Sequence, residues 1–274
     1  FCANLKCFCK RGGGTDIHAH GFGLAIYQGN GLQSFHDTQA AVQSPIAKFL
    51  QDCSITTYNM MAHVRFATTG GINLANVHPF ARELWGIHWS FCHNGQIAKY
   101  DHCRPQQDQP CLGKASPVDT QYIPVGDTDS EAVFCAILNA LKAEFDTLPT
   151  LPVLHSFLSR ICKEIITDDE DSTIFNFLLG CGEYTMFAYS WPGRRPGSEV
   201  WNGLHYIIRD EPLSSTANER IDHQHQNCSQ QHQQQLQQQK NQQLGNDQQH
   251  RDDDRNGHNN NGSSSSSSNN NKRQ

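Results

Sequence analysis

The order of local patterns constrains this chain more than any other feature: strand-like runs come first and last, and two helical periods lie between them. Gly21 to Gln28 (GFGLAIYQ) reads as a strand after the glycine-rich turn Arg11-Gly-Gly-Gly14. Gly29-Asn30-Gly31 suits a tight hairpin into a second strand at Leu32 to His36. Ser44 to Leu50 predicts a short helix with Pro45 at its first position. Thr56 to Val64 and Ile87 to Cys92 are apolar runs of strand length, each ending in a polar cluster, and the polar, Pro-rich stretch Asp101 to Pro124 predicts a loop. Thr128 and Glu131 form a capping-box pair at a helix starting with Asp129, with Val133, Ile137 and Leu141 recurring behind it. Val153, Phe157, Ile161 and Ile165 mark a second helix. Thr173 to Leu179 and Tyr184 to Ser190 alternate around Gly180-Cys-Gly182 as a hairpin, and Leu204 to Arg209 predicts a final strand. This order fits a layered α+β domain and not the strand–helix alternation of a doubly wound parallel sheet.

From about Ser215 the chain turns to Gln, Asn, Ser, Asp and His. Such a segment cannot bury enough apolar surface to offset its ordering entropy, so residues 215–274 are expected to be a disordered tail and residues 1–214 the folded domain. A formal charge of −6 with no basic cluster argues against a nucleic-acid partner. Eleven cysteines, an odd number without a CxxC pair, argue against a secreted disulfide scaffold. No apolar run has the length of a membrane span and no signal peptide opens the chain, so the expectation is a reduced, cytoplasmic protein without a membrane partner. The first residue is Phe1 rather than Met, which predicts a processed product, a fragment or a gene model lacking its start.

Three short motifs carry the chemistry: Ala62-His-Val-Arg-Phe-Ala-Thr-Thr-Gly70, Cys92-His-Asn-Gly95 and Gly126-Asp-Thr-Asp-Ser-Glu131. Arg65 ends a strand beside a Thr-Thr-Gly-Gly turn, where its fork of donors suits a carboxylate ligand or an ordinary ion pair. His93-Asn94-Gly95 ends an apolar run. An Asn amide followed by a glycine N–H can form an oxyanion hole, and Asn-Gly is equally a common turn. Asp129 lies in the first turn of a helix, where the dipole favours a carboxylate with or without a ligand. Jointly, an Arg for a carboxylate, an Asp for an ammonium and an oxyanion hole between them describe a site for an amino acid with an amide or acyl side chain.

HVRFATTG, HNG and GDTDSE resemble the motif set of class II glutamine amidotransferases, and RGGGT, SPIAKFLQD, NVHPFARELWG and WPGRRPGSEVWNGL are similar to segments of its small stand-alone members. The resemblance runs from Phe1 to about Pro212. It implies an N-terminal-nucleophile fold, a four-layer αββα sandwich of two antiparallel sheets. It implies that Arg65 holds the α-carboxylate of glutamine or a γ-glutamyl substrate and Asp129 its α-amino group. Asn94 and Gly95 would stabilise the oxyanion, Thr68 would line the pocket, and Arg11 and Gly12 would shape its floor. The family's nucleophile is an N-terminal cysteine with its own α-amine as base, and no cofactor or metal is involved. Fungal members of this kind resemble a subunit of a glutathione-degrading complex, which implies a metallopeptidase-like partner.

The chain departs from that pattern at both ends. Arg11 follows Cys2 by only nine positions, leaving no room for a nucleophile strand, a turn and the helix that Ala3 to Lys10 match. Cys2 is therefore not expected to be the nucleophile. The family's further strands beyond Leu204–Arg209 are replaced by Gln and Asn. The expectation is a domain incomplete at both ends: a glutamine or γ-glutamyl amidohydrolase when intact, or a catalytically inactive γ-glutamyl-binding or scaffold module lacking its nucleophile. The chain as it stands is expected to bind weakly and turn over nothing. His18, His20, Cys7 and Cys9 match no zinc spacing and are expected to be a turn and a helix rather than a metal site.

Overall fold

The computed structural model describes residues 5–53, 55–68, 70–101, 110–167, 169–193 and 203–208. The chain divides into two units, Phe1–Leu213 and Ser214–Gln274, and every element below belongs to the first. The expected tail, Cys2 and Arg209 lie outside the described residues.

Helices α1 (Leu5–Arg11) and α2 (Pro45–Asp52) accompany strands β1 (Phe22–Gln28), β2 (Gly31–Asp37) and β3 (Met60–Val64). Strands β4 (Phe80–Leu84), β5 (Ile87–Gln96), β6 (Ile174–Cys181) and β7 (Thr185–Trp191) accompany helices α3 (Asp129–Glu144) and α4 (Leu151–Thr167). The first sheet runs β2-β1-β3 and the second β4-β5-β6-β7, with antiparallel pairing throughout.

Side-chain alternation along the strands sets the layering. In β1, Phe22, Leu24 and Ile26 pack with Cys9, Ala41, Ala47 and Leu50 beneath α1 and α2. The opposite face places Ala25 and Met61 against Cys92, with Leu178 beside them. In β5, Trp89 and Phe91 turn away from that contact toward α3 and α4, and the rings of Phe91 and Phe134 stack at 5.2 Å. Helix, sheet, sheet and helix thus form the four-layer αββα sandwich expected from the resemblance.

Local chemistry explains most elements. Ser44 caps α2 through Ile46 and Ala47 N–H, with Pro45 following it. Thr128 caps α3, its hydroxyl accepting Glu131 N–H at 3.3 Å. The capping box is only half made, because the Glu131 carboxylate accepts instead from Gly126 N–H (2.7 Å) and Arg82 Nη2 (2.6 Å). Residues Asp129 through Leu141 are all buried, so α3 is a central helix rather than an amphipathic surface one. In α4 the buried stripe takes Phe157, Ile161 and Ile165 as expected but turns Val153 out, at 47 % exposure.

Two further expectations are corrected. Residues 204–208 form no strand; Tyr206, Ile207 and Ile208 are highly exposed, and Leu204 N–H donates to Ser190 Oγ at 2.9 Å. The His93-Asn94-Gly95 motif does not end a strand in a turn: β5 runs through it to Gln96, with Asn94 opposite Asn176 and Gly95 opposite Phe175. The β4 strand, inside a segment matched only by resemblance, pairs with the start of β5 through the Trp85-Gly86 turn.

Candidate functional site

Arg65 extends the β1–β3 ladder one residue past β3, its N–H donating to Gly21 O at 2.8 Å. Met61 of β3 faces the inter-sheet layer, so His63 and Arg65 share that face. Cys92 of β5 does the same, which places Ser90 and Asn94 on the opposing wall. Cys92 is buried and Asn94 exposed, so the inter-sheet layer opens to solvent along β5 between these two positions.

Gly95 is dictated sterically. A Cβ there would sit 1.8 Å from Ile174 O and 2.9 Å from His93 Nε2, so only glycine lets β5 lie this close to β6. Asp129, 5 % exposed at the capped start of α3, accepts Ile97 N–H at 2.9 Å through Oδ2 and Ser130 N–H at 2.8 Å through Oδ1. Its carboxylate therefore sits against the chain two residues beyond Gly95, with the helix dipole favouring its charge.

Histidines join these pieces. His93 Nε2–H donates to Ile174 O (3.2 Å), which leaves Nδ1 to accept from the Ser130 hydroxyl (2.8 Å). His93 N–H donates to His78 Nδ1 at 3.4 Å, and the His78 and His63 rings pack at 4.4 Å. Burial depresses all three imidazoles: His63 to about 3, His78 well below its ordinary value, and His93 downward despite the opposing charge of Asp129. The cluster is a neutral polar layer bridging β3, β5 and α3.

The Arg65 guanidinium is buried, with Nη1 donating to Gly71 O at 3.2 Å. Burial pulls its pKa down and the Asp127 carboxylate pushes it back up. Thr68 is exposed on the turn after Arg65. Gly12 packs so that an added Cβ would lie 2.5 Å from Ala41 Cβ and 3.3 Å from Val64 Cγ1, which sets the Arg11-Gly12 turn against the end of β3. His18 and His20 brace the segment after Arg65: both rings pack on Phe66 (5.7 and 5.3 Å), and His20 Nδ1 accepts Ala67 N–H. Among the described residues no three His, Cys, Asp or Glu side chains form a metal-holding group.

Asp129, Asn94 and Gly95 thus share one neighbourhood, and Arg65 lies on the facing strand beyond the histidine layer. Sequence reasoning did not find the His63–His78–His93 cluster, the Arg82–Glu131 pair or Asn76. His63 and His93 stand inside the quoted motifs, which was the available signal; buried polar residues outside periodic segments leave none.

Burial pushes the Cys92 thiol well up and those of Cys135, Cys162 and Cys181 to about 12, and it also raises Cys9. None of these five is poised as a thiolate nucleophile. No helix among the described residues is long and apolar enough to cross a membrane.

Residues 1–243 match the family model for class-II glutamine amidotransferases. The chain is 34 % identical over 213 residues to "Putative glutamine amidotransferase YafJ" of Escherichia coli (strain K12), covering 77 % of this chain and 72 % of that one. It is 35 % identical over 217 residues to a "Putative glutamine amidotransferase" of Haemophilus influenzae, covering 78 % and 63 %. The crystal structure of a predicted glutamine amidotransferase from Pseudomonas aeruginosa PA01 is similar over 66 % of this chain and 64 % of its own, with 32 % identity and a TM-score of 0.44. The motif-bearing strands and the match of the family model over most of the sequence lead to one assignment: the chain belongs to the class II glutamine amidotransferases.

Proposed function

We propose that the protein hydrolyses the side-chain amide of glutamine or a γ-glutamyl amide bond, glutathione included. The observation that carries this reading is the Asp129 carboxylate held against Ile97 N–H, two residues beyond Asn94-Gly95, with buried Arg65 on the facing strand. Arg65 would take the α-carboxylate and Asp129 the α-ammonium, with Thr68 lining the mouth, so the side-chain carbonyl reaches Asn94 and Gly95. A thiolate adds to that carbonyl, and Asn94 Nδ2–H and Gly95 N–H take the charge on oxygen. The C–N bond then breaks, the nitrogen leaves protonated, and water resolves the thioester. The nucleophile belongs to a processed N-terminal cysteine, as the resemblance implies. A metallopeptidase-like partner rests on the resemblance alone.

A second reading, a binding module without turnover, is favoured by one observation: burial raises the Cys9, Cys92, Cys135, Cys162 and Cys181 thiols. Calorimetric titration of the full chain with L-glutamine and glutathione, alongside an ammonia and glutamate release assay, tests both. Binding lost in Arg65→Lys and Asp129→Asn supports the site. Turnover abolished by Asp129→Asn assigns hydrolysis to this chain, and binding without turnover supports the module. Absence of binding by both ligands defeats both readings.

A further inference from the structure

Arg65 ends the β1–β3 ladder and Asp129 begins α3, and one side chain ties together the loops that adjoin them. Asn76 closes a 3-10 turn (Leu74–Asn76) and is fully buried. Its Nδ2 donates to Gly71 O (2.9 Å), the same carbonyl that Arg65 Nη1 reaches at 3.2 Å, and also to Asp127 Oδ1. Its Oδ1 accepts Asp127 N–H at 3.1 Å, and its own N–H is held by Asn73 Oδ1 at 3.1 Å. Asn76 thus bonds the loop that follows Arg65 on one side and the loop that leads through Thr128 into Asp129 on the other.

Both loops are shaped to admit it. A Cβ on Gly126 would lie 2.2 Å from Asn76 Oδ1, and one on Gly70 would lie 3.0 Å from Asn76 Nδ2 and 2.8 Å from Asp127 Oδ1. Gly70 also holds a φ of +72°, which side-chain-bearing residues rarely adopt. Only an amide fits this bonding pattern. The two acceptors, Gly71 O and Asp127 Oδ1, need an NH₂ group, and the Asp127 N–H donor needs an oxygen. Aspartate would set a second carboxylate against Asp127, and leucine would remove both bonds to Asp127 and the one to Gly71 O, which would keep only its other donors.

We propose that Asn76 is a positioning residue that sets the distance between Arg65 and Asp129, so that one ligand can engage both its carboxylate and its ammonium. This rests on the roles proposed above for those two residues. Asn76 touches no substrate atom; its effect is to let the two contacts be made together, which is where preorganised sites gain affinity.

The test is calorimetric titration of the full chain and of its Asn76→Asp and Asn76→Ala variants with three probes. L-glutamine carries both head groups, glutaramate lacks the ammonium, and 4-aminobutanamide lacks the carboxylate. The expected result is a loss of about tenfold or more in glutamine affinity, with both single-headed probes changed by less than about threefold. Unliganded melts establish that the variants are folded. Asn76→Asp preserves the shape and the acceptor for Asp127 N–H, and carries the test if Asn76→Ala does not fold. Unchanged glutamine affinity in a folded variant overturns the inference. So does an equal loss for all three probes, which marks general loosening rather than lost spacing. Failure of the unmodified chain to bind glutamine is a different result: it removes the underlying reading of Arg65 and Asp129, and the inference with it.

Discussion

The two faces of the four-stranded sheet are built on opposite principles. On the side of α3 and α4, β5 and β6 present Trp89, Phe91, Phe175 and Phe177 to a continuous apolar core. On the inter-sheet side the same strands present Ser90, Cys92, Asn94, Asn176 and Gly180, met by Tyr27, His63 and His78. The first face can repack around hydrophobic volume. The second is held by directed bonds, such as Tyr27 Oη to Ser90 Oγ at 2.8 Å, and by glycines where backbones or side chains meet closely. Stability is therefore concentrated in one layer and the candidate chemistry in the other, which lets polar groups gather at the sandwich mouth without weakening the main core.

The contrast breaks most readily in the apolar layer. Phe134, fully buried and stacked on Phe91, should cost about 3–5 kcal/mol as Phe134→Ala. Urea unfolding measures this, and a loss near zero would mean the α3 core does not carry the fold.

The buried histidines on both sides of β5 should instead fail in acid. His63, His78 and His93 are held below their ordinary value, His63 to about 3. Between an unfolded value near 6.5 and the folded one, the unfolded chain binds more protons, so stability rises with pH. The contribution is fully present above about pH 6.5 and is lost as pH falls below it; for His63 the window runs down toward 3, at about 1.4 kcal/mol per pH unit. Melting temperature followed from pH 7 to pH 4 should drop steadily; a flat profile would show that these rings accept protons in the folded state.

A smaller effect sharpens the steric half of the comparison. A Cβ at Gly180 would lie 2.7 Å from both Ser90 Oγ and Tyr27 Oη, so Gly180→Ala should destabilise by about 1–3 kcal/mol. Pairing it with Tyr27→Phe in a double-mutant cycle should reveal coupling, and additive effects would separate the glycine from that hydrogen bond. The smallest expected loss is at the helix start: Thr128→Ala removes the α3 cap for about 1 kcal/mol. Its second consequence is specific to the site, since Asp129 sits next to the cap. Glutamine affinity should fall further than stability predicts, as titration of the folded variant would show.

Much of this architecture was legible before the structure. The hairpins at Gly29-Asn30-Gly31 and Gly180-Cys-Gly182, the Ser44 and Thr128 caps and the period of α4 are local features, and local chemistry governs them. The misreadings have one cause. Asn94-Gly95 is a turn signal in isolation, but eight register positions with β6 carry β5 straight through it. Leu204 to Ile208 is apolar enough for a strand, yet a strand exists only where a neighbour accepts its hydrogen bonds.

Sequence alone determined most of the element types, the α+β class and, through three motifs in order, the family and the residues to watch. Tertiary structure decided what those residues share. It buried three histidines as one neutral cluster across β5, turned the Glu131 carboxylate from its own cap to Arg82, and placed Asn76 between two loops distant from each other in sequence. Periodicity and capping act within a few residues along the chain, and so they can be read from it. A buried polar bond depends on which donors and acceptors the folded layers leave facing each other, and only packing settles that.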